Sequence, residues 1–334
     1  MPETKQCWCG NSQFSSFSDD YYLCAACGTL VLKYWPDATL TQVEDEGELY
    51  SRDYYLRHLV EDYGYPDLPT RTRDDVGERN TYWLRTLLKY RLPLGKTLEL
   101  GCAHGGFVAL MRQCGFDASG LELSPWLVEY ARTTFDIPML EGALENQSLP
   151  ENSFDVIVLM DVLEHLPDPV GTMSKALSLL KPDGLLLIQT PNYRENVSYD
   201  EMRATKEHFL DHLKPLEHLF LFSQRAVLEL FKRLGAEHLV FEPPIFDYDM
   251  FFLVSRRFFE PIPREQRDTE LQSTPRKRLM LALLDLYERM EIFQQESKAR
   301  LQAIEYLKQE SAERLEVINK LSQASEGWQQ GEGD

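Results

Sequence analysis

Apolar and polar positions change period several times along the chain, and each change marks an element. Between residues 96 and 255 short apolar runs alternate with amphipathic stretches. The runs TLEL (97–100), ASGLEL (118–123), a short IPML (137–140), FDVIVLM (154–160) and GLLLIQT (184–190) read as strands buried in a sheet. Apolar residues at helical spacing over 107–114, 125–134 and 170–180 predict the helices between them. Ser223 predicts an N-cap for the helix QRAVLELFKRLG, which Gly235 closes. Two late strands, near HLVFEP and DMFFLVSR, finish the sheet, and Pro182-Asp183-Gly184 turns the chain into the fifth strand. Regular strand–helix alternation of this kind is the pattern of an α/β domain with a largely parallel sheet.

The pattern differs on both sides of that stretch. Residues 1–35 carry two paired-cysteine turns, CWCGN and CAACG, flanking a hairpin-like FSSFSDDYYL and followed by the apolar TLVLKYW. They predict a small ribbon. Residues 36–95 mix a tyrosine-rich acidic segment, SRDYYLRHLVEDYGY, with an amphipathic stretch, and are expected to form helices and loops that precede or cover the main domain. Residues 256–278 are proline- and charge-rich, a linker. From 279 to 325 the pattern turns helical: Leu279, Leu283, Leu286, Met290 and Phe293 step by four and three, the stripe breaks near Ser297, then resumes at Leu301, Ile304, Leu315 and Ile318 with Lys308 and Ser311 in the seam. A coiled coil with a phase shift fits this spacing, and so does a single amphipathic helix packed on the body. The final SEGWQQGEGD is expected to fray.

Composition narrows the partners. The 334 residues hold 35 Lys+Arg against 54 Asp+Glu, a formal net charge of −19. A surface this acidic repels phosphate backbones, and the densest basic group, Arg276-Lys277-Arg278, is small, so nucleic acid is not an expected partner. No apolar run approaches the ~20 residues of a membrane span, and MPETKQCWCG has no apolar signal core. A cytoplasmic location is expected, where six cysteines serve as metal ligands or buried thiols rather than disulfides.

The chemistry concentrates at 97–106, TLELGCAHGG. An apolar run ends in Glu99 and breaks into a glycine-rich turn, and about twenty residues later a second strand ends in Glu122. Strand, tight turn, helix and a second strand offering a carboxylate to a ribose make a nucleotide-type cofactor site. The turn is not the dinucleotide fingerprint. From about Lys96 to Ser255 the chain resembles class I S-adenosylmethionine-dependent methyltransferases, whose E/D-x-G-x-G-x-G turn is matched by Glu99, Gly101, Ala103 and Gly105, with alanine in place of the usual second glycine. The resemblance implies that Glu99 helps hold the methionine ammonium, and that Glu122, followed by Leu123, takes both ribose hydroxyls. Where the family often has aspartate after a glycine this chain has Ala143, so the adenine amino group is left to Glu145 or a backbone carbonyl. MDVLEHLPDP resembles the segment after the fourth strand of the small-molecule branch and puts Asp161, as a cofactor-binding residue, and His165 near the methyl-transfer centre. KPLEHLFLFS resembles the (P/W)-x-EH-x-x-x-FS pattern of bacterial methyltransferases of polysaccharide and natural-product sugars, and brings in His218.

Methyl transfer to a hydroxyl or carbon requires in-line alignment and a base within reach. His165 and His218 are the candidate bases, His165 with the alternative of a helix-terminal histidine that only braces its loop and His218 with a place in the substrate site. His104 is either an orienter of the cofactor carboxylate or an exposed loop residue, and Cys102 only packs. His208 and His212 are spaced i, i+4 but lack a third ligand. Tyr54, Tyr55 and Tyr193 are candidates for lining a sugar pocket. Cys7, Cys9, Cys24 and Cys27 suit a tetrahedral structural zinc, the first pair departing from C-x-x-C by one residue. An N-terminal cysteine cluster before such a domain resembles both sugar methyltransferases and a zinc-finger class of ribosomal RNA methyltransferases. The expected fold is therefore α/β, a Rossmann-like class I methyltransferase sheet with a small N-terminal zinc ribbon and a C-terminal helical, coiled-coil tail. The expected activity is S-adenosylmethionine-dependent methylation of a small molecule or glycan, foremost a sugar hydroxyl, with RNA methylation or a non-catalytic scaffold as alternatives. The tail would join the chain to itself or to a partner protein.

Overall fold

The computed structural model describes residues 5–35, 51–61, 64 and 66–330. Residues 36–50, the start of the stretch expected to cover the main domain, and the side chain of Tyr54 lie outside that description.

Two compact units are present, residues 1–281 and 282–334. The first opens with β1 (Phe14–Ser16), β2 (Tyr21–Cys24) and β3 (Leu30–Leu32), an antiparallel ribbon. A π-helical turn, Tyr54–His58, leads into α1 (Leu59–Glu61). Then come α2 (Leu68–Asp75), a second π-helical turn at Val76–Asn80, and α3 (Thr81–Tyr90). The α/β body follows as β4 (Lys96–Leu100), α4 (Gly106–Cys114), β5 (Asp117–Glu122), α5 (Pro125–Phe135), β6 (Met139–Glu141), β7 (Phe154–Met160), α6 (Pro169–Leu179) and β8 (Leu180–Pro191). After α7 (Tyr199–Thr205) and β9 (Phe220–Leu221), α8 (Gln224–Arg233) leads to the hairpin β10 (His238–Glu242) and β11 (Asp249–Ser255). A short helix, α9 (Arg264–Leu271), occupies part of the stretch expected to be linker, and α10 (Pro275–Gln330) ends the chain.

The seven-stranded sheet has the order β10-β11-β8-β7-β4-β5-β6. Its five strands from β6 to β8 are parallel, and β11 enters antiparallel between β8 and β10. This is the Rossmann-like sheet that the sequence pattern leads one to expect. Strands β7 and β8 are near-continuously buried because helices cover both faces. Alternate residues therefore serve two cores. Leu98, Leu100, Ile157, Leu159, Leu186 and Ile188 pack with α6 and α8 in one cluster. On the opposite face Trp83 of α3 meets Phe107 of α4 at 5.4 Å between ring centroids.

The ribbon is not a satellite. Strand β3 pairs antiparallel with β9, Leu30 opposite Leu221 and Val31 opposite Phe220, so its sheet runs β1-β2-β3-β9. Tyr21, Leu30, Val31 and Leu32 share the core of α6 and α8. The ribbon is too small to bury a core of its own and borrows this one.

The second unit is the greater part of α10. The helix is unbroken through Ser297, where the apolar stripe is interrupted, and it continues to Gln330 through positions expected to fray. The single Gly327 in SEGWQQ costs about 1 kcal/mol, which one residue in so long a helix absorbs.

Candidate active site

Strands β4, β5 and β7 end at the same edge of the sheet, and their carboxyl ends open onto a cavity of about 570 Å³. This is the position at which open α/β sheets bind ligands. Gly101 makes the turn out of β4 at φ +64°, and its amide and that of Cys102 are bound by the Leu121 carbonyl, at 2.8 and 3.2 Å. A Cβ on Gly101 would lie 2.6 Å from Val162 Cγ2. Gly105, φ +79°, precedes α4, and a Cβ there would meet Ile137 Cδ1 at 2.5 Å. Ala103 is also left-handed, φ +46°, an unusual conformation for a residue with a Cβ. The turn thus needs small residues for two reasons, backbone hand and close packing. Glu99, Gly101, Ala103, Glu122 and Leu123 line the cavity. Gly105 does not; it supports the turn from behind.

The two acids differ in their partners. Glu122 accepts from Ala103 N at 2.9 Å through Oε2 and from Ser124 N at 3.0 Å through Oε1. Glu99 is 3 % exposed, and its Oε2 has no hydrogen-bond partner. Burial, then the neighbouring Glu122 charge, hold the Glu99 carboxyl well above the usual carboxylate range. A buried carboxylate oxygen facing a cavity with no donor suits a cationic ligand group, and the ammonium of a methionine moiety is one. Ala143 and Glu145 line the next part of the cavity, with Glu145 accepting from the Thr172 hydroxyl.

His104 is buried, not exposed, and lines the cavity. Its Nε2 lies 3.0 Å from Asp75 Oδ2 and its Nδ1 accepts from Gly106 N at 3.1 Å, so it ties α2 to the start of α4. Burial pushes Asp75 up, but the His104 hydrogen bond and nearby positive charges outweigh it, and the carboxyl sits below its ordinary value. The segment 71–83 arches over the site, with Arg71, Asp75, Arg79, Asn80 and Trp83 in the lining.

At the far end, Asp161 leaves β7 at φ +58° and accepts from Gln189 Nε2 at 3.0 Å, while Trp83 Nε1 donates to the other end of that amide at 2.9 Å. His165 and His218, 53 positions apart in sequence, meet with ring centroids 4.7 Å apart at 83°. His165 Nδ1 is 2.9 Å from the Glu217 carbonyl and His218 Nδ1 is 2.7 Å from the His212 carbonyl. Burial pushes both imidazoles below their ordinary value. Glu164 and Asp249, which the sequence patterns did not single out, join them with His212. Glu164 is buried and accepts from Thr190 Oγ1 at 2.8 Å, its carboxyl raised well above the ordinary value by burial and the Asp161 charge. Asp249, at the start of β11, is buried with Oδ1 unpartnered, and burial with the Asp161 charge pushes it up to about 8. His212 packs against Tyr248 with ring centroids 4.5 Å apart and the planes tilted by 38°, and burial lowers it to about 4. Glu164 sits inside the motif that flagged its neighbours. Asp249 had no sequence signal beyond opening an apolar strand.

Other candidates separate. Residues His208–His212 form a 3₁₀ turn, so the i, i+4 pair does not share a face; His208 is exposed beside Asp211 while His212 lines the cavity. Tyr55 lines the cavity and stacks on Trp126 at 6.5 Å. Tyr193 is buried against Phe17 and Phe209 and is not in the lining.

In the ribbon, Cys7, Cys9, Cys24 and Cys27 converge, all four sulfurs within 4.8 Å of one another. Cys7 Sγ lies 3.5 Å from Cys27 Sγ, and Cys9 Sγ 3.7 Å from Cys24 Sγ. A regular tetrahedron with Zn–S bonds of about 2.3 Å has edges of roughly 3.8 Å, so the spacing fits despite the short C-x-C. The Cys7 thiol's hydrogen bond pulls Cys27 below the ordinary thiol value.

A family model described as a methyltransferase domain matches residues 73–239, from the arch to the first strand of the late hairpin. The chain belongs to the methyltransferase-domain family. This methyltransferase is 32 % identical over 107 residues to a ubiquinone biosynthesis O-methyltransferase of Xanthomonas campestris pv. campestris (strain B100), covering 30 % of this chain and 45 % of that protein. It is 31 % identical over 129 residues to a probable S-adenosylmethionine-dependent methyltransferase of Mycolicibacterium smegmatis, covering 36 % and 50 %. The chain thus spans about half the length of these curated relatives. Among solved structures, a magnesium protoporphyrin IX methyltransferase from Synechocystis PCC 6803 with bound SAH is similar at 16 % identity and a TM-score of 0.44, over 62 % of this chain and 98 % of that one. No helix among the described residues is long and apolar enough to cross a membrane.

Proposed function

We propose that this methyltransferase transfers a methyl group from S-adenosylmethionine to a hydroxyl of a small molecule or glycan, foremost a sugar hydroxyl. The observation that carries the reading is the buried Glu99 oxygen without a partner, one strand away from Glu122, at the mouth of a glycine-rich turn. Glu99 would take the ammonium, Glu122 with Leu123 the ribose, and Gly101 and Ala103 would let the backbone approach. The cofactor supplies its methyl on a sulfonium when bound. Asp161, His165, Glu164, His218 and Asp249 define the acceptor end. There the cluster would align an acceptor hydroxyl in line with the methyl–sulfur bond and take up the proton that the hydroxyl loses as the methyl passes from sulfur to its oxygen. Carboxylates and imidazoles facing a cavity also suit a polyhydroxyl acceptor, whose groups they would hydrogen-bond. The net charge of −19 tells against an RNA substrate. Cys7, Cys9, Cys24 and Cys27 would hold a structural zinc with no position left open for water.

Calorimetric titration with S-adenosylmethionine and its demethylated product, beside Glu122→Ala, tests the reading. Binding by the intact protein that weakens at least about tenfold in the variant is expected. No binding by the intact protein would overturn it.

A further inference from the structure

We infer that the acceptor carries a primary ammonium beside its reacting hydroxyl, and that Asp249 is the residue that selects it. The inference rests on the proposed function and deepens it, because it names the class of acceptor that the same cavity takes.

An orphaned oxygen is the first argument. Asp249 opens β11 and lines the cavity while only 3 % exposed. Its backbone is fixed, in register with Pro191 of β8 and with its amide donating to the Phe246 carbonyl at 3.2 Å. Its Oδ1, however, is buried without a hydrogen-bond partner. A buried acceptor left unsatisfied is costly, so one kept at the wall of a ligand cavity leaves its partner to the ligand. Glu99 Oε2 is the other orphaned carboxyl oxygen in this cavity, and the proposed function gives it the methionine ammonium. That group cannot serve both. Strands β8 and β7 lie between β11 and β4, which sets the two backbones roughly 14 Å apart at ordinary strand spacing.

Charge is the second argument. Asp161 and Glu164 line the cavity with Asp249. Burial, then the Asp161 charge, raise the Asp249 carboxyl to about 8, with Asp247 adding to the shift and Arg79 opposing it. Arg79 approaches Asp161 at 3.5 Å, and Lys214, also in the lining, stands 4.0 Å from Glu217. His212, against Tyr248, is held neutral by burial and brings no charge. The carboxyls at this end therefore lack a full countercharge.

The chemistry of the missing partner follows. A hydroxyl would give Oδ1 one donor and no charge. A quaternary ammonium would bring charge and no donor, leaving the oxygen orphaned. A primary ammonium presents several N–H donors and a full positive charge, so it satisfies Oδ1 and relieves the repulsion among the acids together. Held as the cation it has no lone pair, so it is a handle and not the nucleophile. Methyl transfer goes to a neighbouring hydroxyl, and the proton that Asp249 gives up on binding leaves to solvent.

The experiment compares methyl transfer from S-adenosylmethionine to glucosamine, galactosamine and mannosamine, each beside its parent hexose and its N-acetyl form. Asp249→Asn is the near-isosteric variant that removes the charge, and S-adenosylmethionine affinity is measured on both proteins as an independent check of the fold. For at least one amino sugar, kcat/KM at least about tenfold above both neutral counterparts is expected, with the methyl on oxygen. In Asp249→Asn that ratio should fall to within about twofold of unity while cofactor affinity holds. Turnover of the neutral sugars with no advantage for any amine would overturn the inference and leave the proposed function standing. An advantage that Asp249→Asn retains would overturn the role of Asp249, and a methyl found on nitrogen would overturn the handle. No turnover of any of these sugars by a protein that binds the cofactor would overturn the inference as well. A protein that does not bind the cofactor would overturn the proposed function and this inference with it.

Discussion

Glu99 is the residue whose environment most constrains the chemistry. Burial and the Glu122 charge hold its carboxyl protonated into a range where an ordinary glutamate is ionised. A ligand ammonium would favour the carboxylate and lower that affinity for protons again. Between the lowered and the raised value, binding must therefore expel a proton, and affinity must rise with pH until the free-state value is passed. Calorimetric titrations in buffers of different ionisation enthalpy should show proton release on cofactor binding, and Glu99→Gln should abolish it. Binding by the intact protein with no buffer dependence would mean that Glu99 does not meet the ammonium. Gly101 gives a second test at this scale. Alanine at φ +64° costs about 1–2 kcal/mol for backbone hand alone, and its Cβ would press on Val162. The unfolding free energy of Gly101→Ala, from urea titration, should fall by more than that cost, and adding Val162→Ala should recover the excess but not the backbone part. Full recovery in the double variant would show that only the contact matters.

At the scale of elements, the seam between β3 and β9 links the ribbon to the acceptor end. Strand β9 begins two residues after His218, and the Tyr21 hydroxyl binds the His218 carbonyl inside the core. Tyr21→Phe deletes that one donor and leaves the carbonyl unsatisfied, at a cost of about 1–3 kcal/mol. Glu99 and Glu122 stand on other strands, so turnover should fall several-fold while cofactor affinity stays within about twofold. An equal loss of both would show a general loss of stability rather than a displaced histidine. The seam also marks where sequence reasoning stops. Elements with their own period, β4 to β8 and the helices between them, were legible because burial on two faces and helical spacing are written locally. So was the gathering of Glu99, Gly101 and Glu122 at one cavity, because they lie close in the chain and at fixed offsets from strand ends. The pairing of β3 with β9 joins residues nearly two hundred positions apart, and nothing in either short apolar segment names the other. Asp249 was illegible for the same reason, since its role depends on β11 inserting beside β8. Tyr193 misled because tyrosine composition does not distinguish a cavity wall from the packing of Phe17 and Phe209.

At the scale of the whole molecule, α10 poses the question of association. Fifty-six residues of helix extend roughly 84 Å at 1.5 Å per residue. Leu301 and Ile304, like Leu315 and Ile318, are spaced i, i+3 and are all exposed, Leu301 at 60 %. The i, i+4 ion pairs on this helix, Glu296–Arg300, Glu310–Arg314 and Glu316–Lys320, are themselves largely exposed. Pairs of this kind contribute only a few tenths of a kcal/mol each, too little to hold so long a helix in water by themselves. Burying a leucine or isoleucine contributes about 1.5–3 kcal/mol, so four side chains set against a second copy outweigh the ion pairs several-fold. Lys308 and Ser311 in the seam weaken that contact and restrict its register, as polar seam residues do. The full chain should therefore sediment as an oligomer whose mass falls on dilution. Leu301→Lys with Ile304→Lys should reduce it to the mass of one chain at the same concentration, with cofactor affinity unchanged because the substitutions lie outside the unit that carries the cavity. A single-chain mass for the intact protein would end the idea of self-association, and an oligomer that survives both substitutions would move the interface off this stripe.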